Sequence, residues 1–132
     1  MKSLLILLTF TLTTLFAQVQ NEYITQKLVD SKTKIIDIRT VGEWKETGLV
    51  KGSIPIEFFD IRGNYNIPQF LKELDTKVKK GEKFALICRT GSRTKMVSNF
   101  LNSQGYKVTN LLGGIMYAKG KNIKLEKYKG KK

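Results

Sequence analysis

Phe84-Ala85-Leu86-Ile87-Cys88-Arg89-Thr90-Gly91-Ser92-Arg93-Thr94 is the stretch on which the fold turns. Its four leading apolar residues read as a short buried strand. The strand ends at the single cysteine of the chain. Six residues of loop chemistry follow, Arg89 to Thr94, and then a helical pattern with Met96, Val97, Phe100 and Leu101 on one side, closing at Gly105. A thiol placed where a strand hands over to a helix start lies among N–H groups that have no partner inside the helix. Those groups and the positive end of the helix dipole favour an anion. Arg89 and Arg93 add fixed positive charge. The stretch therefore reads as an active-site loop built for an anionic sulfur, the nucleophilic form of a thiol. The plainer alternative is a buried cysteine acting as a small hydrophobe.

Outward from this stretch, strands and helices alternate. Lys34 to Arg39 is a strand, buried where the isoleucines run together, ending in two opposite charges, Asp37 and Arg39. Upstream, Asn21 is placed to cap a short helix bearing Tyr23, Ile24 and Leu28. Thr40 to Thr47 reads as a helical turn carrying Trp44 and leading to Gly48. Gly52 to Ile56 is a short strand, which Pro55 confines to an edge or an end. Phe58 to Asn66 is loop. Asn66 and Pro68 open a helix with Leu71, Leu74 and Val78 on one face, stopped by Gly81. Val108 to Leu112 is a last strand, and Gly113-Gly114 a tight turn into a short helix. This order predicts an α/β domain with a mostly parallel sheet. Sites in such sheets collect at the carboxyl ends of the strands, where Cys88 and the Asp37/Arg39 pair both fall.

Composition narrows the chemistry. The chain has 132 residues, enough for one domain with a real core, with 41% hydrophobic residues, one Cys and no His. Without histidine there is no Ser-His-Asp triad, no Cys-His pair and no histidine metal site. One cysteine allows neither an internal disulfide nor a CxxC redox pair.

The chain opens like an export signal: Lys2, an apolar stretch from Leu4 to Phe16, and a cleavage site at Leu15-Phe16-Ala17. The stretch is short of the about 20 apolar residues a membrane span needs. An uncleaved anchor stays open as the alternative. Residues 1–17 are expected to be the signal peptide, 18–122 the domain and 123–132 a basic tail, with the mature protein outside the cytoplasm and the periplasm as its expected compartment. Loss of Lys2 takes the formal charge from +13 to +12. Between Lys119 and Lys132 lie seven lysines and one acid. A charge run of this kind reads as solvated tail, with weak peripheral contact to an anionic membrane as the sharper reading. No nucleic-acid-binding motif is present, and no nucleic-acid partner is expected.

Taken together, Ile36-Asp37-Ile38-Arg39, Glu43-Trp44, Gly48 through Ile54, Cys88 through Thr94, Gly105-Tyr106 and Leu111-Leu112-Gly113-Gly114 resemble a single-domain rhodanese, over roughly Tyr23 to Gly120. The resemblance implies a three-layer domain and a sulfurtransferase with no cofactor or metal. It departs from the family at Leu49, Ser53, Pro55 and Ala118, where His, Ala, Asn and Trp are usual. The implied mechanism has Cys88 take sulfur from a small anionic donor such as thiosulfate or polysulfide and hold it as a persulfide. A thiophilic acceptor, such as cyanide, a thiol or a sulfur-relay protein, then removes it. Arg89, Thr90, Gly91, Ser92, Arg93 and Thr94 are the expected substrate-binding residues. Arg93 would clamp the donor's oxygens, Arg89 would reach the pocket mouth, and Ser92 and Thr94 would donate to the anion or cap the helix. Asp37 and Arg39 are expected to support, with Asp37 bracing an arginine or N–H of the Cys loop. Trp44 and Tyr117 read as packing, and Glu43 as a local salt bridge or helix contact. Related Cys phosphatases have five residues between Cys and Arg, and His before the Cys. Here there are four, and Ile87 precedes the thiol, which disfavours phosphatase and arsenate-reductase chemistry. Two other classes stay open: a persulfide carrier without turnover, and a non-catalytic domain that recognises acidic partners.

Overall fold

A computed structural model describes residues 18–130. The expected signal peptide, residues 1–17, and the last two lysines of the tail lie outside the described residues.

The apolar runs around Ile35 and Leu86 form two of the three inner strands of a five-stranded sheet. In chain order the sheet comprises β1 (Gln20–Tyr23), β2 (Lys34–Asp37), β4 (Ile54–Pro55), β5 (Lys83–Ile87) and β6 (Lys107–Leu112). Their spatial order is β1-β6-β5-β2-β4, and every pairing is parallel. Runs such as Ile35-Ile36 and Ala85-Leu86-Ile87 are apolar on both faces because helices cover both. Ile36, Phe84 and Leu86 pack with Phe70 and Leu74 of α3 (Ile67–Asp75) and Val97 and Leu101 of α4 (Ser92–Ser103). Ile35, Ala85 and Ile87 pack on the other face with Ile115 and Ala118 of α5 (Gly114–Gly120) and Leu28 of α1 (Gln26–Asp30). The result is a three-layer α/β domain with a mostly parallel central sheet flanked by helices. Pro55 sits on the edge strand β4, where its missing N–H costs no ladder bond.

Four local readings differ from the structure. Asn21 lies in the edge strand β1 rather than capping a helix, and Thr25 caps α1 by accepting the Leu28 N–H. This four-residue polar stretch pairs because β6 offers a partner edge. The helix from Asn66 ends at Asp75, ahead of Gly81, so Val78 is buried from the following turn. Met96 is 55% exposed, because α4 turns Thr94, Val97, Ser98 and Leu101 inward instead. β6 is not the last strand. Leu125–Glu126 forms β7, antiparallel to β3 (Leu49–Val50). The first part of the expected tail is therefore packed: Ile123 is buried, and Tyr128 lies 5.3 Å from the buried Trp44 of α2 (Val41–Thr47). Apolar residues interleaved with the lysines hold it down against their charge.

Candidate active site

The Cys88 loop is shaped by glycine and gripped from behind. Gly91 has φ +98°, open to glycine at little cost, and lets the chain turn back into α4. The turn brings the Gly91 N–H to 3.2 Å from Cys88 Sγ, to which it donates. Thr94 Oγ1 lies 3.5 Å from the same sulfur and also donates to the Gly91 carbonyl at 3.1 Å. Behind the loop, the first turn of α5 donates two backbone bonds into it, Ile115 N–H to Cys88 O at 2.9 Å and Met116 N–H to Arg89 O at 3.1 Å. A side chain on Gly114, at φ +57°, would collide with those same two carbonyls. The close approach of α5 is thus a use of Gly113-Gly114 that a turn reading does not contain.

Cys88 itself is fully buried, with its sulfur turned into the loop and its flank against the core. Arg89, Thr90 and Ser92 are exposed, and Thr94 is buried beside the sulfur. Neither Ser92 nor Thr94 caps α4, whose N-cap is Gly91 with no side-chain bond.

Arg93 is where sequence reasoning and geometry part. Its Nη1 and Nη2 donate to Glu43 Oε2 and Oε1 at 2.8 and 2.6 Å. The two nitrogens expected to grip a donor are already paired across the fold. Glu43 also completes a capping box on α2: Thr40 Oγ1 accepts the Glu43 N–H, and Glu43 Oε2 accepts the Thr40 N–H at 3.0 Å. The Arg93 guanidinium first, and then the Thr40 bonds against partial burial, hold the Glu43 carboxyl down at about 2. The helical-turn reading of Thr40 to Thr47 missed this box, whose sequence signal is the Thr-x-x-Glu spacing; the fifty-residue reach to Arg93 has no such local signal.

Asp37 and Arg39 stand beside the loop but do not touch it. β2 and β5 are neighbours, Asp37 opposite Ile87, and Ile38 N–H donates to Ile87 O at 3.0 Å. Asp37, fully buried, accepts from the Nε, Nη2 and backbone N–H of Arg39 and from Trp44 Nε1 at 3.1 Å. Arg39 also donates to Thr47 Oγ1 at 2.7 Å and to Gly48 O at 2.8 Å. Asp37 thus bonds to Arg39 and Trp44 rather than to a group of the Cys loop, on which it acts through charge: after Glu43 and Cys88, it adds to the upward shift of the Arg93 guanidinium. The buried charges are paired and bonded, as burial requires. Trp44, expected as packing, is also a donor in this network.

A parallel α/β sheet with a cysteine loop at the carboxyl end of its middle strand, the Gly91 N–H turned on the sulfur, defines a class of sulfur-handling domain. A family model described as "Rhodanese-like domain" matches residues 20–120, and the chain belongs to that family. It is 34% identical over 94 residues to "Rhodanese-like domain-containing protein 17" of Arabidopsis thaliana, covering 67% of this chain and 60% of that protein. The chain thus spans about three fifths of that relative's length. It is 32% identical over 91 residues to a Bacillus subtilis (strain 168) protein named "Putative sulfurtransferase YtwF", covering 69% of this chain and 78% of that one. Among solved structures, a rhodanese-like domain protein from Staphylococcus aureus superposes with TM-score 0.60 at 22% identity, over 82% of this chain and 99% of that chain. A rhodanese-like domain from Anabaena does so with TM-score 0.63 at 15% identity, over 85% and 81%. At these identities the two structures share the fold.

Proposed function

We propose that the protein is a sulfurtransferase that moves sulfane sulfur through a persulfide on Cys88. One observation carries the reading: the buried sulfur faces the Gly91 N–H at 3.2 Å and the Thr94 hydroxyl at 3.5 Å, inside a curled loop. The Gly91 N–H would stabilise negative charge at that position, and the Thr94 hydroxyl would do so once its proton turned from the Gly91 carbonyl to the sulfur. The family membership and the sulfurtransferase name of the Bacillus relative support it.

In the first half-reaction the Cys88 sulfur attacks the outer sulfur of a donor such as thiosulfate. The donor's S–S bond breaks, its electron pair leaves with sulfite, and Cys88 holds a persulfide. In the second, an acceptor thiolate or cyanide attacks the outer sulfur, and the electron pair of the broken S–S bond returns to Sγ. No outside oxidant or reductant enters. Arg89 would meet substrate at the exposed rim. Arg93, paired with Glu43, would offer a donor only a partly offset charge. Asp37 and Arg39 would act on the loop through β2 and α2.

The complete burial of Cys88 favours a second reading, a sheltered persulfide delivered to a partner enzyme without turnover on small acceptors. Intact-mass measurement after incubation with thiosulfate or polysulfide tests both, with gain of one sulfur atom expected. Turnover with thiosulfate and cyanide then supports the enzyme; a loaded protein that does not turn over supports the carrier. Export stays part of the proposal, and a mature protein beginning at Gln18 is the expected result of N-terminal sequencing.

A further inference from the structure

All strands of the central sheet run parallel, so every connection that enters one lies at the pole opposite the Cys88 loop. That pole is built of lysine. Lys34, Lys83 and Lys107 open β2, β5 and β6. The connection from α3 into β5 adds Lys77, Lys79 and Lys80, and that from α1 into β2 adds Lys32. All but the half-buried Lys34 are exposed. Three acids share the pole: Glu82 just before β5, and Asp30 and Asp75 at the ends of α1 and α3. Seven lysines thus face three carboxylates.

Pairing does not remove the excess. Glu82 is closed on Lys34 at 2.9 Å, Asp75 accepts the Tyr106 hydroxyl, and Asp30 accepts from Gln26 Nε2. Among the described residues, none of the other six lysines meets a carboxylate within ion-pair distance. Lys83 and Lys107 are register partners on neighbouring strands, where like charges repel. The helices α1, α3 and α4 end at this pole, but each dipole offsets only about half a charge. The four arginines of the chain all follow strand ends at the Cys88 pole, and two of them, Arg39 and Arg93, are closed on Asp37 and Glu43.

A face of lysines without arginine suits a diffuse anionic surface. Lysine is a hydrated point charge, whereas the arginine fork is the group fitted to carboxylates and nucleic acid. The course of the chain points the same way. β1 pairs in parallel with β6, Gln20 opposite Thr109, so the chain reaches β1 from the lysine pole. The apolar stretch from Leu4 to Phe16 is therefore joined to the domain on that side. A bilayer that takes up this stretch, during export or as an anchor, meets the lysines first.

We propose that the amino pole of the sheet docks on the anionic headgroups of a lipid bilayer and leaves the Cys88 loop turned to solvent at the opposite end. The contact is separate from the lysines of residues 123–132, and it does not depend on what Cys88 transfers.

The test takes the protein as isolated from cells and mixes it with vesicles of phosphatidylglycerol and phosphatidylcholine, or of phosphatidylcholine alone, reading the bound fraction by flotation. Binding should be tighter on the anionic vesicles and should weaken steeply as salt rises to about 0.5 M. A lysine near such a surface is worth about fivefold in partition, so Lys83→Gln, Lys107→Gln should weaken binding by about tenfold or more. Lys79→Gln, Lys80→Gln gives the same reading from a loop, should the strand-start pair disturb the fold. Lys45→Gln, Lys95→Gln removes equal charge from exposed positions on α2 and α4 and should stay within about twofold of the parent. Equal binding to both kinds of vesicle overturns the inference, as does binding that ignores salt or a control pair that weakens it as much as the pole pairs do. Polyglutamate or duplex DNA bound as tightly, with the same loss in the pole variants, assigns the face to another polyanion and overturns it too.

Discussion

Arg93, in the first turn of α4, closes both terminal nitrogens on the carboxylate of Glu43, which belongs to the N-terminal turn of α2. One carboxylate therefore holds together the helix that follows β2 and the helix that follows the Cys88 loop. Two near-parallel charge-assisted bonds make this a geometric constraint as well as an attraction. Glu43→Gln keeps the shape and removes the charge. It should lower stability by about 1–2 kcal/mol in urea unfolding. An unchanged midpoint would show that the pair does not tie the helices.

The same pair predicts an acid dependence. The Glu43 carboxyl falls from an ordinary 4.5 to about 2 on folding. A lowered value in the folded state means that folding favours the ionised form. Its stabilisation is complete above about 4.5 and drains as pH falls toward about 2. Stability against pH, measured by denaturant midpoints, should therefore fall more steeply over that window in the parent than in Glu43→Gln.

Cys88→Ser should take up no sulfur in intact-mass measurement and show no transfer. The hydroxyl can still accept the Gly91 N–H, so unfolding free energy should stay within about 1 kcal/mol of the parent. Sulfur loading in the serine variant would place the nucleophile elsewhere.

Asp37→Ala would strand Arg39, 1% exposed, with a buried charge and no carboxylate. A loss of about 3–5 kcal/mol in urea unfolding is expected. The Trp44 fluorescence should change as well, since Trp44 Nε1 loses its acceptor.

Gly114→Ala should damage the loop rather than α5 alone. At φ +57° the added methyl meets the carbonyls of Cys88 and Arg89, backbone atoms that cannot swing aside. Sulfur loading should fall at least tenfold, with an order of 2 kcal/mol lost in stability. Gly120→Ala, with nothing within 4 Å, is the control and should be close to neutral.

Local chemistry was enough for much of this molecule. The apolar runs at Ile35-Ile36 and Phe84 to Ile87 and the Asn66 cap announce themselves within a few residues, because strand periodicity and capping are short-range effects. β1 and β7 do not. Asn21 and Leu125 acquire strand geometry only from partner edges, β6 and β3, that lie far along the chain.

At the site the division is the same. The order of residues alone places a thiol at a strand end, followed by glycine and arginine, and with it the class of chemistry the loop can hold. Which carboxylate meets Arg93, that Asp37 turns to Arg39 and Trp44, and that α5 backs the loop through Gly114 were decided by packing. An ion pair selects its partner by distance in space, and that distance exists only once the sheet has brought β2 beside β5.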